Sequence, residues 1–224
     1  MRQGFRVIDT DTHVNPSLDV LLHYADPGLQ AHLDELKPYT IQVQPRLGQG
    51  NAEDLEEVSM LSISPVRYQR VAGAKPGSSP DGGGDRGFLS GRTHMVTSQP
   101  IAVRAAEDNA EGRLEDMDTE GRDIDFIIPG TWAYGAPALA PHLVQGLYSA
   151  YHRYMAAYCS ADSRRLKSMV LAPGSDPVWA AQAIREHADE AWVAAIWPLV
   201  PEGMPVDDPG IHVRRDSWKT AIVT

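Results

Sequence analysis

The hydrophobic pattern divides the chain into short apolar runs that alternate with amphipathic segments. Continuous apolar runs predict buried strands that begin near Phe5, Ile124, Leu166 and Ala191. Between the second and third of these strands, a long helix is predicted by apolar residues at helical spacing, namely Leu143, Leu147, Tyr151, Met155 and Tyr158. This alternation is typical of parallel strands joined by right-handed crossovers, which is the α/β class.

Capping and breaking residues set the predicted ends of the shorter helices. Pro16 opens a helix over SLDVLLHYA, and Asp26 caps a second helix, which ends just before Pro38 because proline disfavours a helical residue before it. Gly121 stops a polar helix that begins near residue 107, and Asp176 caps the helix that leads into the fourth strand.

Residues 44–106 break this pattern and are interpreted as an insertion after the first strand. Its segment GAKPGSSPDGGGDRG, at residues 73–87, has the composition of a flexible linker or surface loop, so we expect no core element there. For the remainder, an open doubly wound sheet competes with a (β/α)8 barrel. No G-x-G-x-x-G turn follows the first strand, and polar residues end that strand, so the barrel is favoured.

The composition of the chain indicates which kinds of molecule it can bind and in which compartment it works. The 224 residues carry a net charge of −10, which disfavours nucleic acid or an anionic membrane surface as a partner. The single cysteine, Cys159, excludes an internal disulfide and indicates a reducing compartment. With no apolar leader and no run long enough to span a membrane, we expect a cytoplasmic protein that acts on a small molecule.

The first strand ends in FRVIDTDTHVNP, with Asp9, Asp11 and His13 spaced by two. In an extended strand this spacing puts all three side chains on one face, and such a row is costly to bury unless it binds a cation. Asp11 and His13 are therefore candidate ligands of one zinc or manganese ion, with Asp9 behind them. The alternative is that these residues bond nearby backbone at a turn before Asn15.

The segment VIDTDTHVNP resembles the opening of the amidohydrolase superfamily, in the branch that contains aminocarboxymuconate semialdehyde decarboxylase and the resorcylate-type decarboxylases. The branch opens with an acid or histidine, any residue, then histidine. Further similar segments follow in order: RLEDMDTEGRDIDFIIPG, AYHRYMAAYCSADSRRLKSMVLAPGSDPVWAAQAI and PVDDPGIH. Together they cover about residues 5–212.

The resemblance implies part of a (β/α)8 barrel, about its first four βα units, with Asp11 and His13 as two ligands of a divalent zinc or manganese ion. It also implies a metal-dependent hydrolase or nonoxidative decarboxylase that acts on a small carbonyl or carboxylate compound. The family's strand-five histidine and strand-eight aspartate have no counterpart here, since His212 follows strand four. Residues 213–224 do not resemble the family, so we expect a barrel part at 1–212, an atypical tail and impaired chemistry. No catalytic residue is assigned.

Four further residues are candidates for binding the substrate. Trp132 and Tyr134 follow the second strand and Trp197 ends the fourth, where the substrate loops of a barrel lie, although Trp132 and Tyr134 could equally pack against the next helix and Trp197 has a similar structural alternative. His94, in the insertion, could contact an anion, but a lone loop histidine is more often a surface residue.

Two other classes of function compete with the enzyme. A non-catalytic barrel remnant would bind a partner chain, or copies of itself, through its open strand edges. The other competing class is an open-sheet protein that binds a ligand without a metal ion.

Overall fold

Four parallel strands form the sheet that organises the molecule. The computed structural model describes residues 4–43, 58–63, 109–130 and 132–199. The strands of this sheet are β1 (Ile8–Val14), β4 (Ile124–Pro129), β5 (Leu166–Pro173) and β6 (Val193–Leu199), in the order β1-β4-β5-β6. The connections carry the helices α4 (Ala110–Glu120), α5 (Trp132–Gly135), α6 (Pro141–Cys159) and α7 (Pro177–His187). The α/β class and the succession of four parallel strands with helices between them are confirmed.

The core lies between the sheet and the long helix α6. Leu147, Tyr151 and Met155, spaced by four on one face of α6, are fully buried. Behind the sheet, Tyr151 Oη lies 3.0 Å from Ser168 Oγ, which in turn donates a hydrogen bond to the carbonyl oxygen of Ile127. The helix is thereby fixed against β5 and β4, the two central strands. None of the described helices is long and apolar enough to cross a membrane.

The predicted caps of the helices are largely confirmed. Asp26 and Asp176 each accept a hydrogen bond from a backbone N–H of the helix that follows, and Gly121 ends α4 in the left-handed conformation, with φ of 77°. The first helix, α1 (Leu18–His23), starts later than predicted, because Ser17 and not Pro16 begins it: Ser17 Oγ accepts from the amide of Val20.

The helix predicted after Asp26 is divided into α2 (Pro27–Gln30) and α3 (Leu33–Leu36), followed by a 3₁₀ turn at Lys37–Tyr39. The sequence analysis also missed an antiparallel pair of strands, β2 (Thr40–Val43) and β3 (Val58–Leu61). The predicted loop at 73–87, the rest of the insertion outside 58–63, and the tail at 213–224 lie outside the described residues.

The fourth strand of the sheet is less buried than predicted. Its apolar run suggested burial on both faces, but Ile196 is 43% exposed, and among the described strands β6 pairs only with β5. Ala195 and Trp197, whose side chains lie on the opposite face, pair in register with Met169 and Leu171 of β5 and pack against the core. A run of apolar residues predicts a strand, but it does not show which of its faces the folded chain covers.

Candidate metal centre at the end of the first strand

Asp11 and His13 lie side by side at the carboxyl end of β1. His13 Nε2 is 3.2 Å from Asp11 Oδ1, so the carboxylate and the imidazole point to the same side of the strand. The Asp11 side chain is 86% exposed and that of His13 is 35% exposed, so the pair is open to a ligand from solvent. The two predicted ligands are brought together, and Asp11 does not simply cap backbone.

Asp9 does not join this pair, contrary to the prediction that all three residues share one face. The register of β1 against β4 shifts between Asp9, which pairs with Asp125, and Thr12, which pairs with Ile127. One extra residue in β1 reverses the alternation of its side chains. Asp9 thus faces Arg122, with 3.7 Å between Oδ2 and Nη1, and its Oδ1 accepts a hydrogen bond from the amide of Asp11. Asp9 fixes the backbone of the bulge rather than adding a ligand.

A buried arginine holds the other face of the strand end. Arg113 of α4 donates from Nη1 to Thr12 Oγ1 at 2.6 Å and from Nη2 to the carbonyl oxygen of His13 at 2.9 Å. Its Nε donates to Tyr158 Oη of α6 at 3.0 Å. The guanidinium therefore ties two helices to the backbone that carries the candidate ligands.

The charge of Arg113 is balanced by Asp125 of β4, which is fully buried and lies 3.3 Å from Nη1. Burial disfavours the guanidinium, but Tyr158 and Asp125 outweigh it and hold the pKa of Arg113 above its ordinary value. Arg122 also pairs with Asp125. Arg113 and Asp125 could not be picked out from the sequence, because only a tertiary contact distinguishes them from the other charged residues nearby.

Two of the predicted substrate residues meet at the same end of the sheet. The rings of Tyr134, in α5, and Trp197, in β6, lie 4.4 Å apart and nearly perpendicular, an edge-to-face pair. Partial burial, and then the nearby carboxylate of Asp11, raise the pKa of Tyr134 above its usual value. Tyr134 is thus close enough to Asp11 to sense its charge, and the aromatic pair belongs to the same surroundings.

Trp132 and His94 do not join this group in the described structure. Trp132 is 1% exposed, and its ring packs edge-on against Tyr148 and Tyr151 of α6. The structure therefore places Trp132 in the core against the following long helix, which was the alternative to a substrate-binding role. His94 lies outside the described residues.

The donor set fits a divalent transition metal. One carboxylate oxygen and one imidazole nitrogen, a hydrogen-bond length apart, are ligands that both zinc and manganese accept. They account for two coordination positions, whereas a firm site takes four or more. The pair can therefore hold an ion firmly only with further ligands beyond Asp11 and His13.

Comparison with known proteins gives a likeness of fold. No protein-family model and no curated protein sequence matches the chain. Two crystal structures of 5-carboxyvanillate decarboxylase from Novosphingobium aromaticivorans, both with manganese and a hydroxy-methoxy-nitrobenzoic acid, match 99% of this chain with TM-scores of 0.51 and 0.50 at 18% and 16% identity. An amidohydrolase from Mycobacterium avium subsp. paratuberculosis matches 86% of it with a TM-score of 0.45 at 12% identity.

This chain spans about half the length of the decarboxylase, 49% and 48% in the two structures. This likeness confirms the predicted fold, part of a (β/α)8-type barrel.

Proposed function

We propose that this chain supplies the first-strand part of a divalent metal site in a decarboxylase or hydrolase of the amidohydrolase superfamily. The observation that carries the proposal is the contact between Asp11 Oδ1 and His13 Nε2 at the carboxyl end of β1. In a barrel fold, this end of the strands is where active sites are built. The structural likeness to a manganese-containing decarboxylase supports the same assignment.

We favour nonoxidative decarboxylation of an aromatic carboxylic acid over hydrolysis. Tyr134 and Trp197 present an aromatic surface near Asp11, which suits a flat, unsaturated substrate. The decarboxylase of similar fold binds a substituted benzoic acid, which is likewise a flat aromatic carboxylic acid.

In this proposal Asp11 and His13 hold the ion, and manganese is favoured over zinc by the same likeness. When bound, a divalent ion supplies positive charge that binds and polarises a carboxylate or carbonyl oxygen. Arg113 fixes the main chain of the ligand strand, and the Tyr134–Trp197 pair orients the ring of the substrate. The hydroxyl of Tyr134 carries its proton at neutral pH, as tyrosine ordinarily does, and can donate a hydrogen bond to the substrate.

The second candidate is the non-catalytic remnant that associates through strand edges. The observation in its favour is that β1 and β6 each pair with a single neighbour among the described strands. Size-exclusion chromatography with activity measured in each fraction separates the two functions. An enzyme gives metal-dependent turnover that follows the protein peak, whereas a remnant associates without turnover.

The decisive experiment measures manganese binding and decarboxylation of hydroxybenzoic acids by the purified chain. Asp11→Asn and His13→Asn are each expected to abolish turnover and to lower the number of bound manganese ions by one per chain. Matched controls are Asp118→Asn, which removes an exposed carboxylate paired with Arg165, and His23→Gln, on α1; both should leave both readouts unchanged. An unchanged number of manganese ions, or unchanged turnover, in both site variants overturns the proposal.

We propose a cytoplasmic location and a small-molecule partner, on the grounds of the single cysteine and the acidic composition. Cys159 is buried, and its burial raises the pKa of the thiol to about 12, which suits a structural thiol that stays protonated.

A further inference from the structure

A second group of potential metal ligands lies on the surface, where α3 meets the start of α6. It consists of His32, Glu35 and His142, whose ligand atoms all lie within 4.8 Å of one another. Among residues 4–43, 58–63, 109–130 and 132–199, no other group of three or more histidine, cysteine, aspartate or glutamate side chains comes this close. His32 and His142 come from distant parts of the sequence, so only the folded chain shows that they converge.

The carboxylate of Glu35 lies between the two imidazoles. Glu35 Oε1 is 2.7 Å from His32 Nδ1, and Oε2 is 3.1 Å from His142 Nε2. The two rings are 4.5 Å apart between centroids. Two imidazole nitrogens and a carboxylate oxygen converge on one small volume that is open to solvent.

Each ligand is placed by local structure. His32 precedes the first residue of α3, and Glu35 lies three residues later, one helical turn along. His142 is the second residue of α6, so it comes from a segment more than 100 positions away. An ion bound here would cross-link two separate parts of the chain.

The packing behind the cluster fixes the two segments against each other. Gly146, one turn after His142 on the same face of α6, lies against Leu29, which is buried. A Cβ atom at position 146 would stand 2.8 Å from the Cβ atom of Leu29. This close contact, three residues before His32, brings the segment that carries His32 and Glu35 against the start of α6.

The electrostatics favour a cation. Glu35 is an exposed glutamate whose carboxylate supplies a negative charge between the two imidazoles. Neutral imidazoles with one carboxylate are typical of zinc sites, whereas magnesium and calcium prefer oxygen ligands alone. The remaining coordination position opens to solvent, where water can complete a tetrahedral site.

We propose that His32, Glu35 and His142 form a surface zinc site that links α3 to α6. It shares no residue with the Asp11–His13 pair, so it does not depend on the function proposed above. Its role is to stabilise the packing of the α2–α3 segment on the long helix, since a ligand that binds only the folded chain raises its stability.

The test uses the full chain with Asp11→Asn and His13→Asn, so that zinc at the first site does not contribute. Zinc titration by isothermal calorimetry, with elemental analysis after dialysis, should give one ion per chain. Loss of a group that only contacts a metal ligand typically lowers metal affinity by roughly 10- to 100-fold. Adding His142→Gln or His32→Gln removes a ligand itself, so each should weaken zinc binding by at least that factor. His23→Gln in the same background is the control and should leave it unchanged.

A second measurement identifies the ligands directly. Electron paramagnetic resonance of bound Cu²⁺ should show coupling to two imidazole nitrogens in this background and to one after His142→Gln. In the wild-type chain, His142→Gln should lower the number of bound zinc ions by one. The proposal is overturned if no zinc binds, or if zinc binding and the copper spectrum are unchanged by both histidine substitutions.

Discussion

Arg113 donates a hydrogen bond from its buried guanidinium to the main-chain carbonyl oxygen of His13, over 2.9 Å. The same guanidinium donates to the side chain of Thr12, which alternates with that of His13 along the strand. A carbonyl oxygen that is shielded from water needs a hydrogen-bond donor, and Arg113 supplies one to His13. The arginine therefore connects the stability of the core with the position of a candidate metal ligand.

Arg113→Met is expected to destabilise the chain and weaken metal binding together. Removing one partner of a buried ion pair typically costs 3–5 kcal/mol, and we expect about 3 kcal/mol because Arg122 still pairs with Asp125. Urea unfolding measures the first effect and manganese titration the second. The control, Arg164→Met, breaks an exposed pair with Asp162 and should change stability by less than about 0.5 kcal/mol. Wild-type manganese affinity in Arg113→Met would contradict the positioning role.

Tyr134→Ala should weaken binding of a nitro-substituted hydroxybenzoic acid. It removes one ring of the Tyr134–Trp197 pair, which is proposed to hold the ring of the substrate. The expected loss is about 0.5–1.5 kcal/mol in binding free energy, the range for an aromatic pair. Tyr134→Phe keeps the ring and should retain most of that affinity, so the difference between the two variants isolates the ring from the hydroxyl. Calorimetry in the presence of manganese measures both. Equal affinity of Tyr134→Ala and wild type would remove Tyr134 from the site.

The parts of the fold that were predicted correctly depend on local signals. Asp26, Asp176 and Gly121 cap their helices through contacts within a few residues, so the sequence shows them directly. The spacing of Asp11 and His13 likewise sufficed to predict that they meet. A short-range pattern therefore accounts for these caps and for the candidate ligand pair.

The parts that were missed depend on tertiary contacts. The bulge that turns Asp9 away from Asp11 is visible only in the register against β4. Trp132 looked like a residue of a substrate loop, but contacts with Tyr148 and Tyr151 place it in the core. Strands β2 and β3 have four residues each, too few for periodicity to separate them from loop.

Gly135→Ala is expected to disturb the segment that carries Tyr134. A Cβ atom at position 135 would lie 1.9 Å from the carbonyl oxygen of Ile63, which is main chain and cannot rotate away. We expect a cost of roughly 3 kcal/mol or more from this overpacking, measured by urea unfolding.

The matched control for this prediction is Gly121→Ala, where no atom lies within 4 Å of the added Cβ. It should cost only about 1–2 kcal/mol, from the left-handed backbone. It should also leave binding of the hydroxybenzoic acid unchanged, whereas Gly135→Ala should weaken it. If the two variants are equally stable, the close contact between Gly135 and Ile63 is not present in solution.

His152 should make the chain less stable in mild acid. Its imidazole is buried, and Nε2 accepts a hydrogen bond from the amide of Leu171 at 2.9 Å. Burial, with smaller effects from His187 and Arg153, lowers the pKa of His152 from 6.5 to about 3. Between these values the unfolded chain binds a proton that the folded chain excludes, so the free energy of unfolding falls as pH falls, by up to about 1.4 kcal/mol per unit.

His152→Gln keeps a neutral acceptor for the Leu171 amide and should remove this contribution. Between pH 7 and pH 5 the free energy of unfolding of this variant should fall by about 2 kcal/mol less than that of wild type, whatever its value at pH 7. Only the 1.5 pH units between pH 6.5 and pH 5 contribute to this difference. Urea unfolding at the two pH values measures the difference. His23→Gln should keep the wild-type loss, because His23 lies on α1 and not in the core. Equal losses in wild type and His152→Gln would show that His152 takes up its proton without unfolding.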